Sequence, residues 1–246
     1  MWGRIIGDAQ EGETMGEGVE TPSRGGRAGL AAGWLGAGLA AVLAACQPRD
    51  HLSDGFLHLY VGREPTIDEF YQCHGYGCTL ATRIGLTAAE WQLVREEFTP
   101  PPGDAREERR RIAAALALME RLVGRRTGTS AHQWSRSKQR INPNPSHDPT
   151  QLDCIDETIN TWTYLTLFAR DRLLRHHRVR NPAYAGGLPE FTWDQRNTAV
   201  IQAIASGTDF AVDPTLADAG EEPPIFPLAL WLGPWPPALP GRDEID

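Results

Sequence analysis

Lysine is nearly missing from this 246-residue chain: 23 of its 24 basic residues are arginine, and Lys138 stands alone. That bias is one of genomic base composition and carries no function. Positive charge is also outnumbered, with 24 basic against 32 acidic residues for a formal charge of −8. Such a balance excludes the basic footprint of a nucleic-acid-binding domain, so no nucleic-acid partner is expected. A mean hydropathy of −0.39 leaves too little apolar length for a polytopic membrane protein. Internal repeats are absent as well. What is there, 41% apolar and 8% aromatic residues, fills the core of one or two globular domains. Disordered, collagenous and coiled-coil chains are excluded on the same grounds.

One long apolar run exists. Arg24 and Arg27 precede the 18 residues from Ala28 to Ala45, and Cys46 ends the run. A basic segment followed by an apolar one has the order of a secretory signal. Leu43-Ala44-Ala45-Cys46 resembles the bacterial lipobox, which implies cleavage before Cys46 and acylation of that cysteine. The alternative is an uncleaved membrane helix, since the run is at the lower edge of spanning length. Asp8, Glu11, Glu13, Glu17 and Glu20 lie upstream of it, and no export signal begins with so acidic a stretch. Either translation starts later, as at Met15, or the chain carries an N-terminal extension. The expected organisation is therefore 1–45 as extension and signal peptide, 46–60 as tether and 61–246 as one domain. From Cys46 onward the chain has 201 residues, 21 basic and 27 acidic. The lipobox resemblance implies a lipid bilayer as partner through acylated Cys46, and a bacterial cell envelope location facing the periplasm.

Within the domain, Ile67, Phe70 and Tyr71 fall on one helical face and predict a short helix over Glu64–Tyr71. Thr87 and Glu90 have capping-box spacing ahead of a helix over 88–98, which three prolines, Pro100 to Pro102, stop. Asp104 and Glu107 repeat that spacing before Ile112, Leu116, Met119, Leu122 and Val123, the clearest amphipathic pattern in the chain. The interleaved Arg106, Glu107, Glu108, Arg109, Arg110 and Arg111 read as its solvated face. From Gly124 to Thr150 periodicity is lost, and the segment is either a lid over a cleft or a loop insertion. Ile155, Ile159, Trp162, Leu165, Ala169 and Leu173 predict a buried helix over about 153–174.

The period then changes. Strands are predicted at His176–Arg180, Asn197–Ile204 and Phe210–Asp213, with Ser206-Gly207-Thr208-Asp209 as a hairpin turn. Helices followed by a small antiparallel sheet give an α+β fold. The proline-rich end, PPIFPLALWLGPWPPALPG, is expected to wrap the domain without regular structure, packing Phe226, Leu228, Leu230, Trp231 and Trp235 onto its surface.

Chemistry concentrates at Asp153-Cys154-Ile155-Asp156. A cysteine in the first turn of a helix sits among unpaired backbone amides, which lower a thiol pKa and are able to stabilise an oxyanion. Asp153 and Asp156 mark that helix N-terminus. The order of Asp153-Cys154-x-Asp156, a helix with Tyr164-Leu165, a basic strand, an alternating strand and Ala211-Val212-Asp213-Pro214-Thr215 resembles the core of the transglutaminase-like superfamily, nearest its bacterial cysteine peptidases. The resemblance spans residues 150–216. It implies a papain-like fold in which Cys154 is the nucleophile, Asp213 orients the base, and the base begins the strand between them. At that place the chain reads Gln195-Arg196-Asn197, and none of the three accepts a proton at neutral pH. His176 and His177, on the basic strand, and His74 are the candidates for a displaced base; otherwise the first two belong to a half-exposed strand.

Cys73 and Cys78 bracket Cys-His-Gly-Tyr-Gly-Cys, where two glycines permit a tight turn. A disulfide, free thiols and a metal site that includes His74 are all open, and an oxidising envelope favours the disulfide. Neither a metal nor an organic cofactor is expected. The sequence thus points to an envelope lipoprotein whose domain is a cysteine hydrolase acting on peptide-like substrates, or a degenerate relative of one. The alternative is a non-enzymatic structural or protein-interaction module with Cys154 packed as core.

Overall fold

The computed structural model describes residues 64–133, 148–186 and 196–234. The chain divides between Pro48 and Arg49, and all described residues lie in the second part. The signal segment 1–45, Cys46, the tether 46–60, Gln195 and Trp235 lie outside them.

Two short strands, β1 (Phe70–His74) and β2 (Leu80–Ile84), open the domain as an antiparallel pair with Phe70 opposite Ile84. Helix α1 (Ala88–Glu97) follows, then the long α2 (Ala105–Thr127), then α3 (Cys154–Arg170). A four-stranded antiparallel sheet completes the fold: β3 (His177–Ala185), β4 (Arg196–Ala203), β5 (Asp209–Val212) and β6 (Ile225–Pro227), paired in that order. A single-turn helix, α4 (Leu228–Trp231), ends the described chain. The architecture is α+β, a helical layer against an antiparallel sheet with a separate two-stranded sheet beside it.

Local signals place the helices. Thr87 and Glu90 form the capping box of α1, and Asp104 caps α2 by accepting from the Glu107 amide at 2.7 Å. Gly128 ends α2 in the left-handed conformation (φ 80°), which only glycine adopts without strain. Ile112, Leu116, Met119, Leu122 and Val123 are all buried against α3 and the inner face of the sheet. Strand β4 divides its side chains by alternation. Ala199, Ile201 and Ala203 join this helix-facing core, while Val200 faces a second cluster with Ala211, Phe226, Leu228 and Trp231.

Three expectations are corrected. The helix predicted over Glu64–Tyr71 is a tight Thr66–Glu69 turn leading into β1. Eight residues are too few for a stable isolated helix, and pairing with β2 satisfies the backbone instead. The proline-rich end does form regular structure: Ile225–Pro227 adds an edge strand to β5, a place in a sheet where a proline such as Pro227 is tolerated. Finally, the charged run at the start of α2 is not wholly solvated. Glu108 and Arg109 are buried. The Glu108 carboxylate accepts from the backbone amides of Arg175, His176 and His177 and from the His177 ring, and so seats the start of β3.

Candidate functional site

The site is built on the first turn of α3. Asp153 is its N-cap: one carboxylate oxygen accepts from the Ile155 and Asp156 amides, each at 3.0 Å. Asp156 reaches back to accept from the Asp153 amide at 3.1 Å, completing a capping box. The same two carboxylates hold the turn between β1 and β2. Gly77 N–H donates to Asp153 at 2.8 Å, while the Tyr76 and Cys78 amides donate to Asp156 at 2.9 and 2.7 Å. Cys73 and Cys78 close that turn as a disulfide. Burial and the neighbouring Asp153 charge push the Asp156 carboxyl up to about 7, against the pull of these amides.

The same bonds take two amides out of the oxyanion role expected of this helix start. The Ile155 and Asp156 amides are already engaged by Asp153, and a donor aimed at an internal carboxylate is not offered to a substrate. The lowered thiol pKa is also reversed. Cys154, the free cysteine among the described residues, is half-buried, and burial followed by the Asp153 charge lifts its thiol to about 11. The favourable helix terminus is outweighed by burial first, and then by the cap, itself an anion beside the sulfur.

An asparagine side chain reaches the sulfur. The Asn197 side-chain N–H donates toward Cys154 Sγ at 3.6 Å, from the second residue of β4. Asp213 follows directly on β5, whose Val212 pairs with Ala199 of β4, two residues beyond Asn197. Asp213 does not serve Asn197, however. Its buried carboxylate accepts from the Trp231 indole at 2.7 Å and from the Thr215 amide and hydroxyl at 3.1 and 2.5 Å. Burial lifts this carboxyl to about 6, although the Thr215 and Trp231 donors favour the anion. Trp231 is held in turn by Arg196, which donates to its carbonyl at 2.7 Å and lies 4.9 Å above its ring.

The displaced-base candidates are engaged by other partners. His177 pairs with Ala203, six residues along β4 from Asn197, which is about 20 Å at the rise of a strand. Its Nδ1 is 3.0 Å from Glu108, and Arg109 approaches its other nitrogen at 3.5 Å. His176 contacts the Pro102 carbonyl at 3.1 Å. His74 places its ring nitrogens 2.8 Å from the Pro149 carbonyl and the Thr82 hydroxyl.

Sequence reasoning missed a buried polar group behind the helix start. His132 accepts from the Leu152 amide at 3.1 Å and pairs with Glu157 at 3.0 Å, so both its ring nitrogens are committed. Burial opposes charge on this imidazole, but Glu157 outweighs it and the pKa is raised. Glu120 accepts from the Gly220 amide at 2.7 Å, and burial and Glu157 lift its carboxyl well above the ordinary range. No periodic signal marks these residues; only their three-dimensional convergence does. As for a metal, Cys73, Cys78 and Asp156 bring their ligand atoms within 4.8 Å of one another, but the two sulfurs are bonded to each other and His74 is engaged with Pro149 and Thr82. No protein-family model, curated protein or solved structure matches this chain.

Proposed function

We propose that the domain is a catalytically degenerate member of the transglutaminase-like, papain-type α+β class, carried on an envelope lipoprotein anchored by acylated Cys46. It binds a peptide-like ligand and does not cleave one. One observation carries the reading: Asn197 occupies the contact with Cys154 that a histidine would need. A carboxamide N–H donates to sulfur and has no basic nitrogen to accept its proton. A thiol lifted to about 11 is almost wholly protonated at neutral pH, so nucleophile and base are lost together.

A second reading, a purely structural or protein-interaction module, is favoured by Asp213, whose carboxylate is fully engaged in holding Trp231 and Thr215. Asn197→His separates the two. In a degenerate site the new imidazole takes the thiol proton, and the apparent pKa of Cys154 alkylation falls from about 11 to below the ordinary thiol value of about 8.5. In a purely structural core the rate profile stays where it is. A wild-type alkylation profile that already levels off below about pH 8.5 would overturn the proposal, because an activated thiolate needs no restoration.

A further inference from the structure

The turn that the disulfide closes is under backbone constraint. Residues 75–78 all lie in the left-handed region, with φ of 79° at Gly75, 72° at Tyr76, 64° at Gly77 and 54° at Cys78. Two of the four carry side chains, which disfavour that region. The conformation turns three successive amides toward one spot, where the Asp153 and Asp156 carboxylates receive them. Such a run of N–H groups is an anion-binding nest, and here the anions are the cap of α3. Cys154 is the first residue of that helix.

The two sulfurs differ in access. Cys73 is fully buried and gripped by Asn160, which accepts from its amide at 2.8 Å and donates to its carbonyl at 2.9 Å. Cys78 is only partly buried, next to the exposed Thr79 and Leu80. An incoming thiolate therefore meets Cys78 first.

We propose that the Cys73–Cys78 bond is a thiol-exchange site opened by a dithiol reductant at Cys78, and that its redox state controls the order of the α3 start bearing Cys154. The reductant's thiolate attacks Cys78 Sγ, the disulfide breaks, and the electron pair leaves on Cys73 Sγ, which takes up a proton. The reductant's second thiol then attacks the mixed disulfide, closing its own disulfide and releasing Cys78 as a thiol. Two electrons and two protons pass to the protein pair. With the ring open, Tyr76 and Cys78 relax to ordinary φ and their amides turn away. Asp153 and Asp156 are then adjacent carboxylates deprived of three donors, and the first turn of α3 loosens. This inference rests on the clamp geometry and holds whether or not Cys154 is catalytic.

The test uses the full chain. Oxidised protein is exposed to glutathione, quenched with iodoacetamide and mapped by mass spectrometry; it is then reduced with dithiothreitol and followed by amide hydrogen exchange. The glutathione adduct is expected on Cys78. Reduction is expected to speed exchange over residues 153–158 and Cys154 alkylation at least tenfold, to leave Ile112–Val123 of α2 unchanged, and to reverse on reoxidation. An adduct on Cys73, or unchanged exchange at 153–158, overturns the proposal. So does loss of protection across α2, which would make the bond a staple of the whole fold. The Cys73→Ser/Cys78→Ser variant must reproduce the local pattern without reductant, and its failure to fold counts as the staple outcome.

Discussion

Glu108 offers the most direct test of how this domain is held together, because a single side chain with no solvent exposure carries four contacts. Its carboxylate accepts from the amides of Arg175 at 2.6 Å, His176 at 3.0 Å and His177 at 2.8 Å, and lies 3.0 Å from His177 Nδ1. Each charge-assisted bond contributes about 1.5–3 kcal/mol net, but four donors sharing two oxygens do not add, and dehydrating the carboxylate offsets several kcal/mol. Removing the acceptor leaves three backbone amides and a ring N–H buried, so Glu108→Ala should cost about 4 kcal/mol, within the usual 3–5 for breaking a buried ion contact. Glu108→Gln keeps one oxygen and points an amide at the remaining donors, for about 2 kcal/mol. Urea unfolding measures both, with the midpoint falling and the slope unchanged. The pH dependence has a defined sign. Burial alone would raise this carboxyl, but His177 and the Arg175 and His176 amides together hold it below its ordinary 4.5. Its contribution is thus fully present above pH 4.5 and is lost as pH falls through the lowered value, and Glu108→Gln should flatten the acid limb. An Ala variant within about 1 kcal/mol of wild type would refute the reasoning, since no buried network of this kind is that cheap to break.

Two further outcomes are expected. Trp231→Phe keeps the ring packing but removes the indole N–H from the buried Asp213 carboxylate, and should destabilise the domain by about 1–3 kcal/mol in urea unfolding; an unchanged midpoint would mean that Asp213 is satisfied by Thr215 alone. If Cys46 is acylated after cleavage, the protein recovered from the membrane pellet of a bacterial host should have the intact mass of the chain from Cys46 onward plus its acyl chains; an unmodified mass that includes residues 28–45 would favour an uncleaved membrane helix.

The legible part of the site was its local frame. Asp153 and Asp156 were readable as a helix start because acidic residues cluster at helix N-termini, and the structure shows that they form a capping box there. Asn197, which lies in the Gln195–Asn197 window where the resemblance implies a base, is the residue whose side chain donates toward the sulfur. What the thiol experiences was not readable. The helix terminus argues for a low pKa, and only the burial of Cys154 and the proximity of the Asp153 carboxylate reverse the sign. Likewise Trp231 reads as surface packing, and nothing within its own segment announces that its indole holds Asp213, 18 residues earlier.

By itself, then, the sequence determined the α+β class, the three main helices with their caps, the hairpin of β4 and β5, and the place of Cys154, because each depends on contacts a few residues apart. Tertiary structure decided that the stretch before Cys73 is a strand, that the proline-rich end joins the sheet, and that Glu108 anchors β3 from 67 to 69 residues away. It also decided that the turn at Cys73–Cys78 clamps the start of α3. The physical reason is the same throughout. A buried polar group or an unpaired strand edge must find its partner wherever the fold brings one, and that partner is set by packing, not by neighbours along the chain.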